Sequence, residues 1–355
     1  MKALVKPYGP PGLKLVERPI PAIGDEDVLV RVLAASVCGT DLHIYHSSPS
    51  MRDRVAHEQT IGHEFCGEVV ATGPQVTRVT AGDLVSGESH IVCGTCEYCL
   101  DGMSHLCQEV TLVGVERPGG FAQYVALPEQ NVILKSPKIS LEVASFLDAY
   151  GNAVDTALCV PLIGKTVLVT GCGPQGMMAI AIALAAGARQ VIATELHAKR
   201  RECARELIRL HANPNQARND LVLDGASPSL VDEIYKATDG LGVDVLLEMS
   251  GHPTAIRDGC TLLRNAGHAV VLGLGANQVE LNWTNLMFKG ATIHFRYGRH
   301  LYRTWSEGRR LLESGLVKLD SLVYGRDFAL DEFEEAFRLL DQGEAVKVIF
   351  RPNPA

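Results

Sequence analysis

The chain has 355 residues, 46% hydrophobic and 21% charged, so it carries apolar material for two cores and exceeds the length at which a single core usually stops growing. Its net charge of -8 and pI near 5.8, without any long basic run, exclude nucleic acid and anionic membrane surfaces as expected partners. No apolar signal core follows Met1, and the longest wholly apolar run, 177–186, is too short to cross a bilayer, so the expected location is the cytoplasm.

Residues 1–35 alternate apolar and polar positions in short runs broken by Pro and Gly, such as Asp27-Val-Leu-Val-Arg-Val-Leu33, and predict strands. Two short pieces follow, Cys38-Gly-Thr-Asp-Leu-His43 and Gly62-His-Glu64. A thiolate and an imidazole suit zinc, and a catalytic zinc keeps three protein ligands and an open fourth position. Cys38 and His63 are candidates for two of them. Glu64 and the distant Asp148, in Asp148-Ala-Tyr-Gly-Asn-Ala-Val154, compete for the third place, and the loser orients a ligand or takes a proton. Each residue alone is as ordinary in a core as at a metal, since one sequence does not show spatial adjacency.

Strand patterns resume at 67–71, 82–86 and 119–125, and together they predict a compact β-barrel-like domain. Within it, Cys93-Gly-Thr-Cys96-Glu-Tyr-Cys99 and Cys107 supply four thiols at a spacing that can wrap a closed, structural four-thiolate zinc. An iron-sulfur cluster is the rival reading, although the spacing differs from the usual ferredoxin runs. Cys66, Cys159, Cys172, Cys203 and Cys260 show no metal spacing and read as core or incidental residues.

Near residue 150 the pattern changes to strand and helix in alternation, which marks a domain boundary and a parallel sheet covered by helices. A buried strand at 166–170 is followed by Gly171-Cys-Gly173-Pro-Gln-Gly176, a buried helix over 177–187 and a second strand at 190–194. Between a strand and a helix, GxGxxG lets backbone amides approach a pyrophosphate. Glu195 ends the second strand, where an acid accepts hydrogen bonds from ribose hydroxyls and repels a 2′-phosphate, favouring NAD over NADP. Arg200 and Arg201 could line the adenine side or bind a phosphate. Strands at 244–249 and 268–273 complete the sheet, and Leu272-Gly-Leu-Gly275 reads either as a nicotinamide-side turn or as an ordinary Gly turn. The stretch 207–224 predicts an extended loop. After about residue 295 the chain is expected to return to the first domain, with helices at 306–314 and 330–340 and a closing strand at 346–350. The expected division is therefore 1–150 with 296–355, and 151–295.

The catalytic pair of motifs, the Cys93/Cys96/Cys99/Cys107 lobe, Gly119-Gly-Phe-Ala-Gln-Tyr124 and the later GxGxxG together resemble the zinc-dependent medium-chain dehydrogenases over essentially the whole chain. Further segments, among them Val85-Ser-Gly-Glu-Ser-His-Ile91, Val113-Gly-Val-Glu-Arg-Pro118, Leu247-Glu-Met-Ser-Gly251, Phe288-Lys-Gly290 and Tyr297-Gly-Arg299, resemble the branch that oxidises the 3-hydroxyl of L-threonine. The resemblance implies an α/β fold in which a Rossmann-type doubly wound parallel sheet accompanies a GroES-like β-barrel catalytic domain. It implies NAD as cofactor, two zinc ions per chain, a small-molecule alcohol substrate and a homotetramer. It assigns Thr40 and His43 to a proton relay, Cys38, His63 and Glu64 to the catalytic metal, and Asp148 to the relay or the metal. It also implies cofactor contacts from Gly171, Gly173, Gln175, Gly176, Glu195, Arg200, Leu272, Gly273, Leu274, Arg296 and Tyr297, and a place near the substrate for His90. Arg299 is a candidate partner for a substrate carboxylate. The segment 47–60 departs from the branch pattern, which leaves a polyol, sugar or aminocyclitol alcohol as an alternative substrate, and a non-catalytic zinc and NAD-binding protein as a third reading.

Overall fold

The computed structural model describes residues 1–52, 54, 55, 58–212, 218–275 and 278–353. The chain divides into two compact units, Met1–Ala149 with Val323–Ala355, and Tyr150–Leu322. No described helix is long and apolar enough to cross a membrane.

The first unit is built on one long strand, Asp27–Ser36, whose alternating burial follows its alternating sequence. It pairs antiparallel with Glu64–Thr72, Tyr124–Pro128 and Ile349–Phe350, and the sheet continues through Leu84–Gly87 to Val132–Leu134. The register sets Ser36 opposite both Glu64 and Ile349, so the end of the chain is paired beside the candidate metal residues. Phe65, Phe121, Phe337 and Phe350 fill the core beneath these strands.

His63 and Glu64 are held by close backbone approach. Gly120 N donates to Gly62 O at 2.7 Å, Gly119 N to Thr60 O at 2.8 Å and Phe121 N to Ile61 O at 2.9 Å, which laces 119–121 onto 60–62. A Cβ at Gly119 would overlap the Gly62 carbonyl and lie 2.6 Å from Ile61 O, so only hydrogen fits.

In the second unit six parallel strands take the order Leu221–Asp224, Gln190–Glu195, Thr166–Thr170, Val243–Glu248, Leu263–Val271, Thr292–Phe295. Counted along the chain this is 3-2-1-4-5-6, the doubly wound order whose reversal opens a crevice at the carboxyl ends of the central strands. The three central strands, Gln190–Glu195, Thr166–Thr170 and Val243–Glu248, are buried throughout, as strands covered on both faces must be. Glu248 ties the end of its own strand to those of Thr166–Thr170 and Leu263–Val271. Its Oε1 accepts from Thr170 Oγ1 at 3.2 Å and from Ser250 N at 2.9 Å, while its carbonyl accepts from Leu272 N at 3.0 Å.

Two expectations are corrected. The return to the first unit comes at Val323, not 296. The short strand Thr292–Phe295 extends the parallel sheet, and the helix after it, Arg303–Glu313, buries Thr304, Trp305 and Gly308, with Gly308 against Tyr150 and Val154. The stretch 207–224 is not a loop throughout: helix Ala198–His211 covers its start and strand Leu221–Asp224 its end, while 213–217 lie outside the described residues. In segment 47–60, positions 53, 56 and 57 likewise lie outside them.

Gly119→Ala should destabilise the first unit by about 1–3 kcal/mol, because the added methyl must displace backbone. A lowered denaturant midpoint with unchanged slope checks this.

Candidate active site

Cys38, His63 and Glu64 bring one ligand atom each to within 4.8 Å of one another. Cys38 is the N-cap of helix Gly39–Tyr45, and the strand beginning at Glu64 places the other two. Asp41, fully buried, serves two of the three: its Oδ2 accepts from Cys38 N at 2.9 Å, and its Oδ1 lies 3.5 Å from His63 Nδ1. Burial alone would lower the His63 pKa, but the charges of Asp41 and Cys38 outweigh it and hold the imidazole well above its usual range. Glu64 has no access to water. Its Oε2 accepts from Lys347 Nζ and Ser36 Oγ, whereas its Oε1 is buried with no hydrogen-bond partner. A thiolate, an imidazole and an orphaned carboxylate oxygen converging at this spacing fit a zinc ion.

Thr40 and His43 stand three residues apart on the same short helix, the spacing that makes side chains neighbours on one face. Thr40 is half-buried and His43 exposed, so the pair runs from the interior toward solvent.

The four sulfurs of Cys93, Cys96, Cys99 and Cys107 also lie within 4.8 Å of one another, with Cys93 and Cys107 3.5 Å apart. Four thiolates at about 2.3 Å from a zinc stand about 3.8 Å apart, so the lobe fits that ion. Backbone N–H groups of Thr95 and Cys96 lower the Cys93 thiol to about 6, and those of Cys99 and Gln108 lower Cys96. Burial, with the thiol of Cys96, pushes Cys99 up to about 12. The donor geometry thus favours negative charge on part of the set before any cation arrives.

A third buried group joins Glu88, His90 and Asp148. Glu88 Oε1 is 3.0 Å from His90 Nδ1 and accepts from His90 N at 2.8 Å, and Asp148 Oδ1 accepts from Ser89 N at 2.9 Å. The structure thus groups Glu64 with Cys38 and His63, and groups Asp148 with His90. Arg299 does not stand as an open carboxylate receptor. It has no exposed surface, its Nη1 donates to Asn152 Oδ1 at 3.1 Å, and its stem fills the space beside Gly151.

On the second unit, Gly173 caps helix Pro174–Ala185 with open space where a side chain would stand, while Gly176 packs onto the Gly171 carbonyl too closely for any side chain. This backbone fits a pyrophosphate at a helix N-terminus. Glu195 accepts from Cys172 N at 2.8 Å, Leu196 N at 2.8 Å and His197 N at 2.9 Å. Arg201 is spent on the carbonyls of Glu195 and Leu196 and on Asp224. Gln175 and Arg200 lie half-buried at the start of this region and of helix Ala198–His211, and Leu272 and Gly273 follow the strand Leu263–Val271, with Leu274 exposed beyond them. Arg296 donates Nε to Asp155 Oδ2 at 2.7 Å, and Asp155 Oδ1 lies 2.7 Å from His300 Nδ1. Burial raises the Asp155 carboxyl, but His300 and Arg296 outweigh it and hold the group below its usual range. Tyr297 is half exposed.

The family models agree with both units. Residues 24–138 match the alcohol dehydrogenase GroES-like domain, and residues 174–314 match the zinc-binding dehydrogenase model. The chain belongs to the zinc-binding alcohol dehydrogenase family. An L-threonine 3-dehydrogenase of Pyrococcus abyssi is 41% identical over 351 residues, covering 99% of this chain and 98% of its own. An L-threonine 3-dehydrogenase of Streptomyces coelicolor is 43% identical over 349 residues, covering 98% of each chain. Among solved structures, the alcohol dehydrogenase TADH from Thermus sp. ATN1 superposes with a TM-score of 0.87 at 28% identity, covering 99% of each chain.

Sequence reasoning missed Asp41, Glu88, Ser36 and Lys347. Asp41 and Glu88 sat unassigned inside quoted motifs, and Lys347 was a single cation in the otherwise apolar run 346–350. Asp41→Asn should weaken metal binding at Cys38 and His63 by about 10–100-fold, measured by competition with a chromogenic chelator.

Proposed function

We propose that this chain oxidises the 3-hydroxyl of L-threonine with NAD, giving 2-amino-3-oxobutanoate and NADH. The observation that carries the reading is the convergence of Cys38, His63 and Glu64 beside a helix presenting Thr40 and His43. The two named relatives, at 41% and 43% identity, give threonine as the substrate. We take Glu64 as the third ligand of a catalytic zinc and the four-cysteine lobe as the holder of a second, structural zinc.

When bound, zinc supplies a Lewis acid that makes a substrate hydroxyl easier to deprotonate, and NAD supplies the hydride acceptor. Thr40 Oγ1 takes the hydroxyl proton and passes one on to His43, whose exposed imidazole can hand it to water. Asp148, held by Ser89 N and grouped with Glu88 and His90 rather than with Cys38 and His63, belongs in this reading to the relay and not to the metal. His90, its ring oriented by the Glu88 carboxylate, meets the polar end of the substrate. The Glu195 carboxylate repels a 2′-phosphate, and the engagement of Arg201 elsewhere removes one counter-charge such a phosphate would need, which supports NAD over NADP. Arg200, Gln175, Leu272, Gly273, Leu274, Arg296 and Tyr297 complete the cofactor contacts in this reading. The homotetramer rests on the family resemblance.

The test is NADH formation followed by absorbance on zinc-replete protein, with L-threonine, its 3-epimer, simple polyols and amino-sugar alcohols. L-Threonine should give the highest kcat/KM; an inert threonine beside an active polyol would overturn the substrate assignment. Elemental analysis should find two zinc ions per chain, with Cys38→Ser losing one together with activity. Cys99→Ser should lose the other together with thermal stability.

A further inference from the structure

Lys347 is a lysine with no exposed surface, which is rare unless the charge is paired. Its Nζ donates to Glu64 Oε2, to Val37 O at 3.3 Å and to Ser36 Oγ at 3.5 Å, and stands 5.3 Å from the centre of the Phe146 ring. The backbone fixes that position. The Lys347 carbonyl accepts from Tyr324 N at 2.7 Å and the Val348 carbonyl from Val37 N at 3.4 Å, so the lysine is clamped between the strand end at Ser36 and the segment that opens at Val323. Ser36 Oγ donates to the same carboxylate oxygen as Lys347. Two donors therefore occupy Glu64 Oε2, and the other oxygen, Oε1, is left buried and without a hydrogen-bond partner in the residue set that also contains Cys38 and His63.

We propose that Lys347, seconded by Ser36, is a positioning residue that restricts Glu64 to a one-oxygen metal ligand and weakens it as a donor. The inference rests on the reading of Cys38, His63 and Glu64 as a metal site. A carboxylate can bind a cation through one oxygen or two, and a donor on one oxygen removes the second choice. The ammonium also repels a cation at the site, so the ligand set Cys38, His63 and Glu64 presents one negative charge less than its two anions alone. The effect is a metal that keeps an open position and stronger Lewis acidity, at some loss of affinity.

The experiment uses full-length protein with the four-cysteine lobe kept in zinc and cobalt(II) titrated into the remaining site. Visible absorption reports the coordination number, since four-coordinate cobalt absorbs much more strongly than five- or six-coordinate cobalt. Wild type should give the intense four-coordinate bands. Lys347→Met should give weaker bands and bind cobalt more tightly, by about tenfold or more, because the ammonium no longer repels the cation. In the zinc form its kcat should fall more than its KM changes, and Lys347→Arg should keep the wild-type spectrum. Unchanged bands with unchanged affinity, or weaker cobalt binding, in Lys347→Met would overturn the role of Lys347. If Lys347→Met does not fold, Ser36→Ala reads the same effect in the same direction at smaller size, and a wild-type spectrum and affinity there overturns it equally. Failure of wild type to bind cobalt outside the lobe would instead sink the metal-site reading itself.

Discussion

A carboxylate sealed from water is the constraint around which the first unit is arranged. Removing Glu64 from solvent costs several kcal/mol unless opposite charge and hydrogen bonds replace the lost water. The chain meets that demand with Lys347 and Ser36, and the strand pairing that sets Ser36 opposite both Glu64 and Ile349 makes the meeting possible. The interlaced 60–62 and 119–121 segments then fix His63 next door, and Asp41 fixes Cys38 against it. Backbone pairing thus places His63 and Glu64, and the Asp41 side chain brings Cys38 to them.

Much of this was legible from residue types. Cys93, Cys96, Cys99 and Cys107 announce themselves by spacing, and the GxGxxG turn by its place between a buried strand and a buried helix. The hidden parts are hidden for physical reasons. Lys347 acts on a residue 283 positions earlier, and no local pattern carries that distance. The helix Arg303–Glu313 shows in sequence that it has an apolar face but not which core receives it, so the return of the chain was placed too early. The pairing of His90 with Glu88 lies two residues apart in sequence, yet its meaning depends on both being buried, which sequence does not report.

In the second unit acids do a different task. Glu195 and Glu248 each gather backbone N–H groups at the ends of parallel strands, Glu195 from Cys172, Leu196 and His197, Glu248 from Ser250 and Gly251. Such clustering rigidifies the turns at the carboxyl ends of the sheet, the edge where doubly wound folds take their ligands. The Glu195 carboxylate is therefore part of the scaffold of the turn it closes.

The pairing of Glu64 with Lys347 also sets a timetable. Chains are made from the N-terminus at about 5–20 residues per second, so Glu64 precedes its counter-charge by roughly 15–60 s of synthesis. Until the C-terminal strand Ile349–Phe350 pairs beside Ser36, the nascent first unit holds Cys38, His63 and Glu64 without the cation that divides the carboxylate's two oxygens. A cation arriving in that interval would meet a more negative set of donors than the finished protein offers. The second unit lies in sequence between Cys38, His63 and Glu64 and the lysine that pairs with Glu64, so that pairing forms only after the second unit has been made.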